Sequence, residues 1–264
     1  MTSTVNSNTN NITTHLLTLC PTAYKSATEH PFLTAAATNT LPTALLLQWL
    51  LQDRHYALTY ISFIGALLSK LTIPTTSNRL STLSWKIANT LIFSLNNIKA
   101  ELALFDKVLI EEFGWTESGE VEVLPITRAY QDMFAGAGSG KASLLEGMVV
   151  LWATERCYFD AWGFAKRSSG GDKSSTTGEE KERKSDVMTR IFIPNWTSEE
   201  FEEFVDTLEE LVNGIVKDEG VEVGSEVWGR QETTVTCVAP KMPQASPLSS
   251  ILIGSEIHDH IDLN

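Results

Sequence analysis

The chain has 264 residues, 42% of them hydrophobic, which is enough length and apolar content for a globular core. Acidic residues outnumber basic ones by 33 to 20, and no stretch gathers Lys and Arg into a basic stripe. Since binding to a phosphate backbone depends on such a stripe, we expect no nucleic-acid partner. Three scattered cysteines favour neither a disulfide framework nor a zinc site.

The amino-terminal residues carry no targeting pattern. Residues 1–14 are rich in Ser, Thr and Asn and lack the basic cluster and apolar run of a secretory signal, so they predict a polar tail. No apolar run in the sequence reaches the roughly 18 residues needed to cross a bilayer. We therefore expect a cytoplasmic protein without a membrane partner.

Apolar residues recur at helical spacing through most of the chain. Residues 15–40 mix apolar and small residues loosely, and the periodicity sharpens after Pro42, which suits a first helical turn. Glu199 and Glu200 suit the amino-terminal turn of the last helix, where negative charge is favourable. The helices are predicted over residues 42–70, 80–113, 126–134, 143–166 and 198–216.

Two segments lack this periodicity. Residues 168–185 contain no hydrophobic residue and predict a long disordered surface loop. Residues 219–264 predict an irregular carboxy-terminal segment, because residues 233–238 favour extended structure and three prolines follow them. The predicted fold is all-α, with a single helical domain over residues 15–218.

Carboxylates and tyrosines lie on apolar stripes of two predicted helices. A carboxylate on a core-facing stripe is costly unless it is paired, and such groups are enriched at functional sites. The alternative is that each carboxylate is solvated at the helix edge, or pairs structurally with Arg54, Arg128 or Arg156. Two sets share the spacing i, i+3 and i+7: Asp53, Tyr56 and Tyr60, and then Glu155, Tyr158 and Trp162.

Other motifs have simpler interpretations. The glycine-rich segment at 136–141 departs from the phosphate-binding loop at Ala135 and Ala142, so it is interpreted as a turn. Cys157 lies about 200° round the helix from Glu155 and is interpreted as a small core residue. His30 and His55 have no second ligand at metal-binding spacing, so no metal site is predicted.

A series of short strings resembles the thiaminase II (TenA) family in order and spacing, over about residues 22–216. The strings are TEHPFL (28–33), NTLP (39–42), WLLQDRHY (49–56), IKAELALF (98–105), TRAY (127–130), LWATERCY (151–158) and NWT (195–197), with Phe201 and Phe204 after them. The resemblance implies a heme-oxygenase-like helical bundle, and by analogy a dimer or tetramer. In one branch of the family a cysteine is the nucleophile, and Thr154 stands at its position here. This chain instead resembles the plant and fungal branch, which has a glutamate three residues before a tyrosine, here Glu155 before Tyr158.

The resemblance also implies a site and a reaction. Asp53 would hold the amino-pyrimidine edge, while Tyr56, Tyr130 and Tyr158 would stack on the ring or donate to it. Glu101 is a further substrate-binding group. Glu155 would act as general base and acid, with a raised pKa. The implied reaction is hydrolysis of an aminomethyl- or formylaminomethyl-pyrimidine to the hydroxymethyl-pyrimidine for thiamin salvage, without metal or organic cofactor.

One departure from the family leaves two further hypotheses. The family closes its pocket with a last helix that bears a second catalytic glutamate near aromatic residues, and the region after Asp218 lacks this pattern. Glu226 and Glu232 are nearby, but neither has the expected neighbours. The chain could then be a non-catalytic pyrimidine- or thiamin-binding protein, or a helical scaffold whose acidic surface recruits a protein partner.

Overall fold

The computed structural model describes residues 11–116, 121–169 and 186–238, and these residues form helices and turns without a β-strand. The predicted all-α, single-domain fold is confirmed. The helices are α1 (Ile12–Thr18), α2 (Pro21–Thr28), α3 (Pro31–Ala37), α4 (Thr43–Ser69), α5 (Leu83–Glu111), α6 (Pro125–Gly138), α7 (Leu144–Ser168), α8 (Ile193–Trp196), α9 (Glu199–Asp218) and α10 (Glu226–Val238). A 3-10 turn (Arg79–Ser81) precedes α5, and a π-helical turn (Met188–Phe192) precedes α8.

Helix α7 runs through the centre of the bundle. It packs against α2, α3, α6, α8, α9 and α10, and also touches α4. Residues 147–154 are buried without interruption, so this part of the helix is covered on every side. A capping box fixes its start: Ser143 accepts from the Glu146 amide at 3.1 Å, and the Glu146 carboxylate accepts from the Ser143 amide at 2.7 Å.

Helices α4 and α6 are fixed against each other by one buried side chain. Gln52 of α4 donates to the carbonyl of Glu122 at 2.8 Å and accepts from the Leu124 amide at 3.0 Å and the Thr127 hydroxyl at 2.8 Å. These three hydrogen bonds satisfy the side-chain amide of Gln52, which would otherwise be costly in free energy to bury. Because Asp53 follows Gln52 directly, the same contacts fix the rotation of α4 at Asp53.

The carboxy-terminal segment differs from its prediction. Residues 233–238 were expected to be extended and residues 219–264 irregular, but residues 226–238 form α10. The extended propensity of Thr and Val amounts to a few tenths of a kcal/mol per residue. Burial of Trp228, which is 2% exposed, against the rest of the bundle outweighs it. Threonines on the outer face are accommodated because their hydroxyls donate to carbonyls four residues back, as Thr234 does to Arg230 at 2.8 Å.

The amino-terminal boundary also needs correction. The polar tail was predicted to reach residue 14, but α1 begins at Ile12. Asn11 caps this helix by accepting from the Thr14 amide at 3.2 Å, and Ile12 and Leu16 are buried. Two helical turns give too little periodicity to reveal such an element. The predicted loop at 168–185 lies outside the described residues except at its first two positions, as does the tail beyond residue 238. Within the described ranges, no helix is both long and apolar enough to cross a membrane.

Candidate functional site

A cavity of about 70 Å³ lies where α4, α5, α7, α8 and the start of α9 meet. Its lining combines several aromatic rings with four acidic side chains, of which Glu200 is exposed and the other three lie inside the bundle. Asp53 comes from α4, Glu101 from α5 and Glu155 from α7. These carboxyls are separated along the chain by about a hundred residues in total, and the packing of the three long helices brings them together.

Asp53 and Tyr158 form the direct link between α4 and α7 in the cavity. The Tyr158 hydroxyl donates to Asp53 Oδ2 at 3.0 Å. Asp53 is 8% exposed, so this is a hydrogen bond inside the protein and not a surface contact. The bond satisfies one acceptor position of the carboxyl and leaves the remaining positions for a ligand.

Helix α5 presents a polar stripe to the cavity. Ser94, Asn97 and Glu101 follow one another at i, i+3 and i+7 and all line it. The indole Nε1 of Trp196 donates to Glu101 Oε1 at 2.5 Å. Trp196 is itself held by stacked contact with Phe192, with ring centroids 4.8 Å apart. The turn at α8 therefore fixes the orientation of the Glu101 carboxyl.

Burial raises the pKa values of all three acids, and the charge of Glu101 adds to the rise at Asp53 and Glu155. Burial raises the pKa of Glu155 to about 8, with a further contribution from the charge of Glu101 and an opposing one from the Tyr60 hydroxyl. Burial raises the pKa of Glu101 to about 7, and the Trp196 N–H opposes this rise. The pKa of Asp53 is raised by burial first and then by the charge of Glu101. An empty site would therefore hold protons at neutral pH, and a cationic ligand would displace them.

Arginine pairing does not account for these acids. Arg54 donates to Asp106 at 2.7 Å, and Arg156 donates to Asp160 at 3.0 Å. Arg54 follows Asp53 in the sequence, and Arg156 follows Glu155. Each arginine nevertheless pairs with a different carboxylate. The three cavity acids have each other as electrostatic neighbours, which a structural ion-pair network would not produce.

Three tyrosines contribute to the wall of the cavity. Tyr56, Tyr60 and Tyr158 line the cavity. Tyr130 does not: it lies behind Tyr56, and the two rings meet edge to face with centroids 5.5 Å apart. The predicted contact of Tyr130 with a ligand stays a prediction, and the structure shows Tyr130 in contact with Tyr56, which lines the cavity. Tyr130 belongs to α6, which packs against α4.

The comparisons with known proteins agree with this fold. The sequence model of the TENA/THI-4/PQQC family matches residues 21–226. The chain belongs to this family. A protein of Fusarium pseudograminearum named as a probable transcription factor is 29% identical over 228 residues, covering 78% of this chain and 45% of its own length. The chain thus spans less than half of that relative.

Solved structures of TenA proteins share the fold. A TenA homologue from Pyrococcus furiosus has a TM-score of 0.68 at 20% identity, covering 90% of this chain and 99% of its own. A TenA family transcription regulator from Silicibacter has a TM-score of 0.70 at 16% identity, covering 90% and 95%. A TenA homologue from Pyrococcus horikoshii has a TM-score of 0.69 at 17% identity, covering 90% and 97%.

Among the described residues of this TenA-family protein, no cysteine lines the cavity. Thr154, at the position where the resemblance expects a cysteine nucleophile in other members, is buried and donates to the carbonyls of Val150 and Leu151. Cys157 lies on the far side of α7, where burial and the charge of Asp160 raise its thiol pKa. A raised pKa keeps the thiol protonated and a poor nucleophile. Within the described ranges, no group of three His, Cys, Asp or Glu side chains is arranged to hold a metal ion.

Helix α10 adds no residue to the lining of the cavity among the described residues. Glu226 pairs with Arg230 at 3.0 Å on the surface. Glu232 contacts His15 Nε2 at 2.7 Å and accepts from the indole of Trp228 at 3.2 Å, joining α10 to α1. Neither glutamate is therefore available in the pocket of this TenA-family member.

Several lining residues escaped the sequence analysis. Ser94 and Asn97 had a detectable signal, since they lie with the predicted Glu101 at i, i+3 and i+7 and interrupt an otherwise apolar helix. Trp196 had no such signal, because the helix that carries it, α8, is only four residues long. A π-helical turn precedes α8, and sequence periodicity does not reveal such a turn.

Proposed function

We propose that this protein hydrolyses the carbon–nitrogen bond of an aminomethyl- or formylaminomethyl-pyrimidine, as a cytoplasmic enzyme of thiamin salvage. The observation that carries the proposal is the meeting of Asp53, Glu101 and Glu155, from three helices, in one aromatic-walled cavity. Membership of the TENA/THI-4/PQQC family supports the same reaction class.

Recognition of the pyrimidine falls to Asp53 and the tyrosines. A 4-aminopyrimidine presents an exocyclic N–H and a basic ring nitrogen side by side, and a carboxylate can accept from both when the ring is protonated. Asp53 is oriented for this by the Tyr158 hydroxyl at 3.0 Å. Burial raises the pKa of Asp53, so the ionised carboxylate needs a positively charged partner inside the protein. A cationic pyrimidine ring supplies that charge. Tyr56 and Tyr60 provide ring faces and edges for stacking.

Hydrolysis needs a base for water and an acid for the departing amine. Ionised Glu155 takes a proton from water as the water oxygen bonds to the methylene carbon. The carbon–nitrogen bond breaks with its electron pair going to nitrogen, and Glu155 then gives the proton to the amine. A pKa of about 8 suits both steps near neutral pH. Glu101, with a pKa of about 7, is the second carboxyl beside the reacting group.

The direct experiment is Glu155→Gln. We expect turnover of the aminomethyl-pyrimidine to fall by roughly 10²–10⁴-fold, because this is what a positioned general base contributes. Binding of the hydroxymethyl-pyrimidine product should persist, since Asp53 is intact. Ammonia release and chromatography of the product measure the first quantity, and calorimetry measures the second. Glu111→Gln, at an exposed position on α5, is the control. Turnover at the wild-type rate in Glu155→Gln would remove Glu155 from the mechanism.

A second function, non-catalytic binding of a pyrimidine or thiamin, is favoured by one observation. Helix α10 brings neither Glu226 nor Glu232 to the cavity, whereas the resemblance expects a second catalytic glutamate on the last helix. A protein of this second kind would be stabilised thermally by the pyrimidine and would release no ammonia from it. The same assay on the wild-type protein therefore separates the two functions.

A further inference from the structure

The hydroxyl group of Tyr60 connects Glu155 to a third helix. Tyr60 belongs to α4 and lines the cavity together with Glu155 of α7 and Ser94 of α5. Its hydroxyl is hydrogen-bonded on one side to the Glu155 carboxyl and on the other to the Ser94 hydroxyl. Tyr60 is 3% exposed and Ser94 is 2% exposed, so bulk water does not compete for these contacts. The three side chains therefore form a hydrogen-bond chain inside the bundle.

The ring of Tyr60 is held in place by its aromatic neighbours. Phe134 meets it edge to face with ring centroids 6.0 Å apart, and Phe63 does so at 6.5 Å. The hydroxyl oxygen therefore has a fixed position, and only the direction of the O–H bond can change. Since a hydroxyl group has a single hydrogen, Tyr60 can donate to Glu155 or to Ser94, but not to both at once.

The far end of the chain is anchored on α5. Ser94 Oγ donates to the carbonyl of Thr90 at 2.9 Å. A hydroxyl that donates in one direction still has lone pairs that accept in others. Ser94 is thus able to accept from Tyr60 whenever Tyr60 does not donate to Glu155.

Glu155 has to take two protonation states during the proposed hydrolysis, first as an ionised base and then as a protonated acid. Resting on that proposed function, we propose that Tyr60 and Ser94 are positioning residues that stabilise both states of Glu155 through a reversible hydrogen-bond relay. With Glu155 ionised, Tyr60 donates to the carboxylate. With Glu155 protonated, the O–H of Tyr60 turns to Ser94, and the Tyr60 oxygen accepts from the carboxyl group until the proton passes to the amine. No covalent bond within the relay breaks.

The relay acts on a carboxyl that lies among other titratable groups. These are Asp53 and Tyr56 of α4, Glu101 of α5, Tyr158 of α7 and Glu200 of α9, which line the cavity, and Tyr130 of α6, which contacts Tyr56. All of them stay in place when Tyr60 or Ser94 is changed. A difference in pH dependence between the wild type and these variants therefore reports the relay.

The two ends of the relay predict opposite shifts in the pKa of Glu155. Tyr60→Phe keeps the ring but removes the donor to the ionised carboxylate, so the pKa should rise by roughly one pH unit. Ser94→Ala keeps that donor but removes the acceptor that Tyr60 uses when Glu155 is protonated, so the pKa should fall, also by roughly one pH unit. Adding Ser94→Ala to Tyr60→Phe should change nothing further, because Ser94 acts through Tyr60.

Two measurements follow the pKa of Glu155. Infrared difference spectra of the carboxyl C=O stretch, taken in each background against the same protein with Glu155→Gln, give the pKa without substrate. The pH dependence of kcat/KM for the aminomethyl-pyrimidine gives it during turnover, as the limb on the acidic side of the profile.

Two variants outside the cavity provide matched controls. Tyr24→Phe removes a hydroxyl that donates to Asp160, also on α7, and Ser84→Ala removes a hydroxyl from α5. Neither residue lines the cavity, so both variants should keep the wild-type midpoint. Shifts of Tyr60→Phe and Ser94→Ala in the same direction, or no shift, would overturn the relay, while turnover by the wild type would leave the proposed function intact. Opposite infrared shifts, together with no ammonia release by the wild type, would support the relay and overturn the proposed function.

Discussion

At the scale of single residues, Trp196 connects the packing of the bundle to the chemistry of the cavity. Its ring packs with Phe192 and Trp162, and its N–H holds Glu101 at 2.5 Å. That hydrogen bond opposes the effect of burial on the Glu101 pKa. The indole thus stabilises the ionised form of Glu101, which is the form that binds a cation.

We therefore expect Trp196→Phe to raise the pKa of Glu101, by roughly one or two units, because a hydrogen bond to a charged group contributes about 1.5–3 kcal/mol. Phenylalanine keeps the aromatic packing but has no donor. The pH at which the pyrimidine reaches half of its maximal affinity should move upward, measured by calorimetry between pH 5 and 9. The same substitution in a Glu101→Gln background is the control and should leave that midpoint in place. A midpoint that moves equally in both backgrounds would show that Glu101 is not the titrating group.

At the scale of helices, the sequence predicts what repeats over many turns. Helices α4, α5, α7 and α9 are 20 to 29 residues long, and their apolar periodicity located them to within a few residues. The same periodicity placed Asp53 and Glu155 on inward stripes. Helix α10 was missed because its buried Trp228 and Val235 are too few to outweigh its threonines in a sequence pattern. Its burial depends on α7 and α1, which lie far away in sequence.

Close packing of α7 on α4 gives a prediction at this scale. A Cβ at Gly147 would lie 2.3 Å from Leu67 Cδ2 and 3.3 Å from the Ala137 carbonyl. Leu67 is fully buried, so it has no open space to move into. Gly147→Ala should therefore lower the free energy of unfolding by about 1–3 kcal/mol, as overpacked cores do.

Gly65 on α4 provides the matched control, because a Cβ there meets nothing within 4 Å. Gly65→Ala should raise the free energy of unfolding by roughly 1 kcal/mol, the usual difference in helix propensity. Urea unfolding followed by circular dichroism measures both. If Gly147→Ala were as stable as Gly65→Ala, α7 and α4 would not be in the close contact described here.

At the scale of the whole molecule, burial of three carboxyls couples the stability of the bundle to pH. The cavity lies between helices that make up most of the core. Ionisation of its buried acids therefore lowers the free energy of unfolding. Such a site is stable when it is protonated or when it holds a cation. Ligand binding and folding are therefore linked through the same groups.

The sign of this linkage follows from the pKa values. In the folded protein the pKa is raised to about 7 for Glu101 and about 8 for Glu155, from an ordinary value of 4.5. The stability that they contribute is fully present below the ordinary value and is lost as the pH rises through the raised ones. Relative to a Glu101→Gln/Glu155→Gln variant, the wild type should therefore lose stability between about pH 5 and pH 8.

Thermal unfolding of the wild type and of the double variant across this pH range measures the difference in their stability. Taking the difference cancels the contribution of the titrating groups that the two proteins share. Each pKa unit corresponds to about 1.4 kcal/mol, so the two carboxyls should shift the melting temperature measurably. A Glu111→Gln/Glu202→Gln variant, changed at exposed positions, controls for the loss of net charge. A cationic aminopyrimidine should restore more stability to the wild type at pH 8 than at pH 5, because it stabilises the ionised carboxyls. A difference curve that stays flat with pH would mean that the two glutamates titrate in the folded protein as they do in water, and the cavity would then lack the electrostatics on which the proposed chemistry depends.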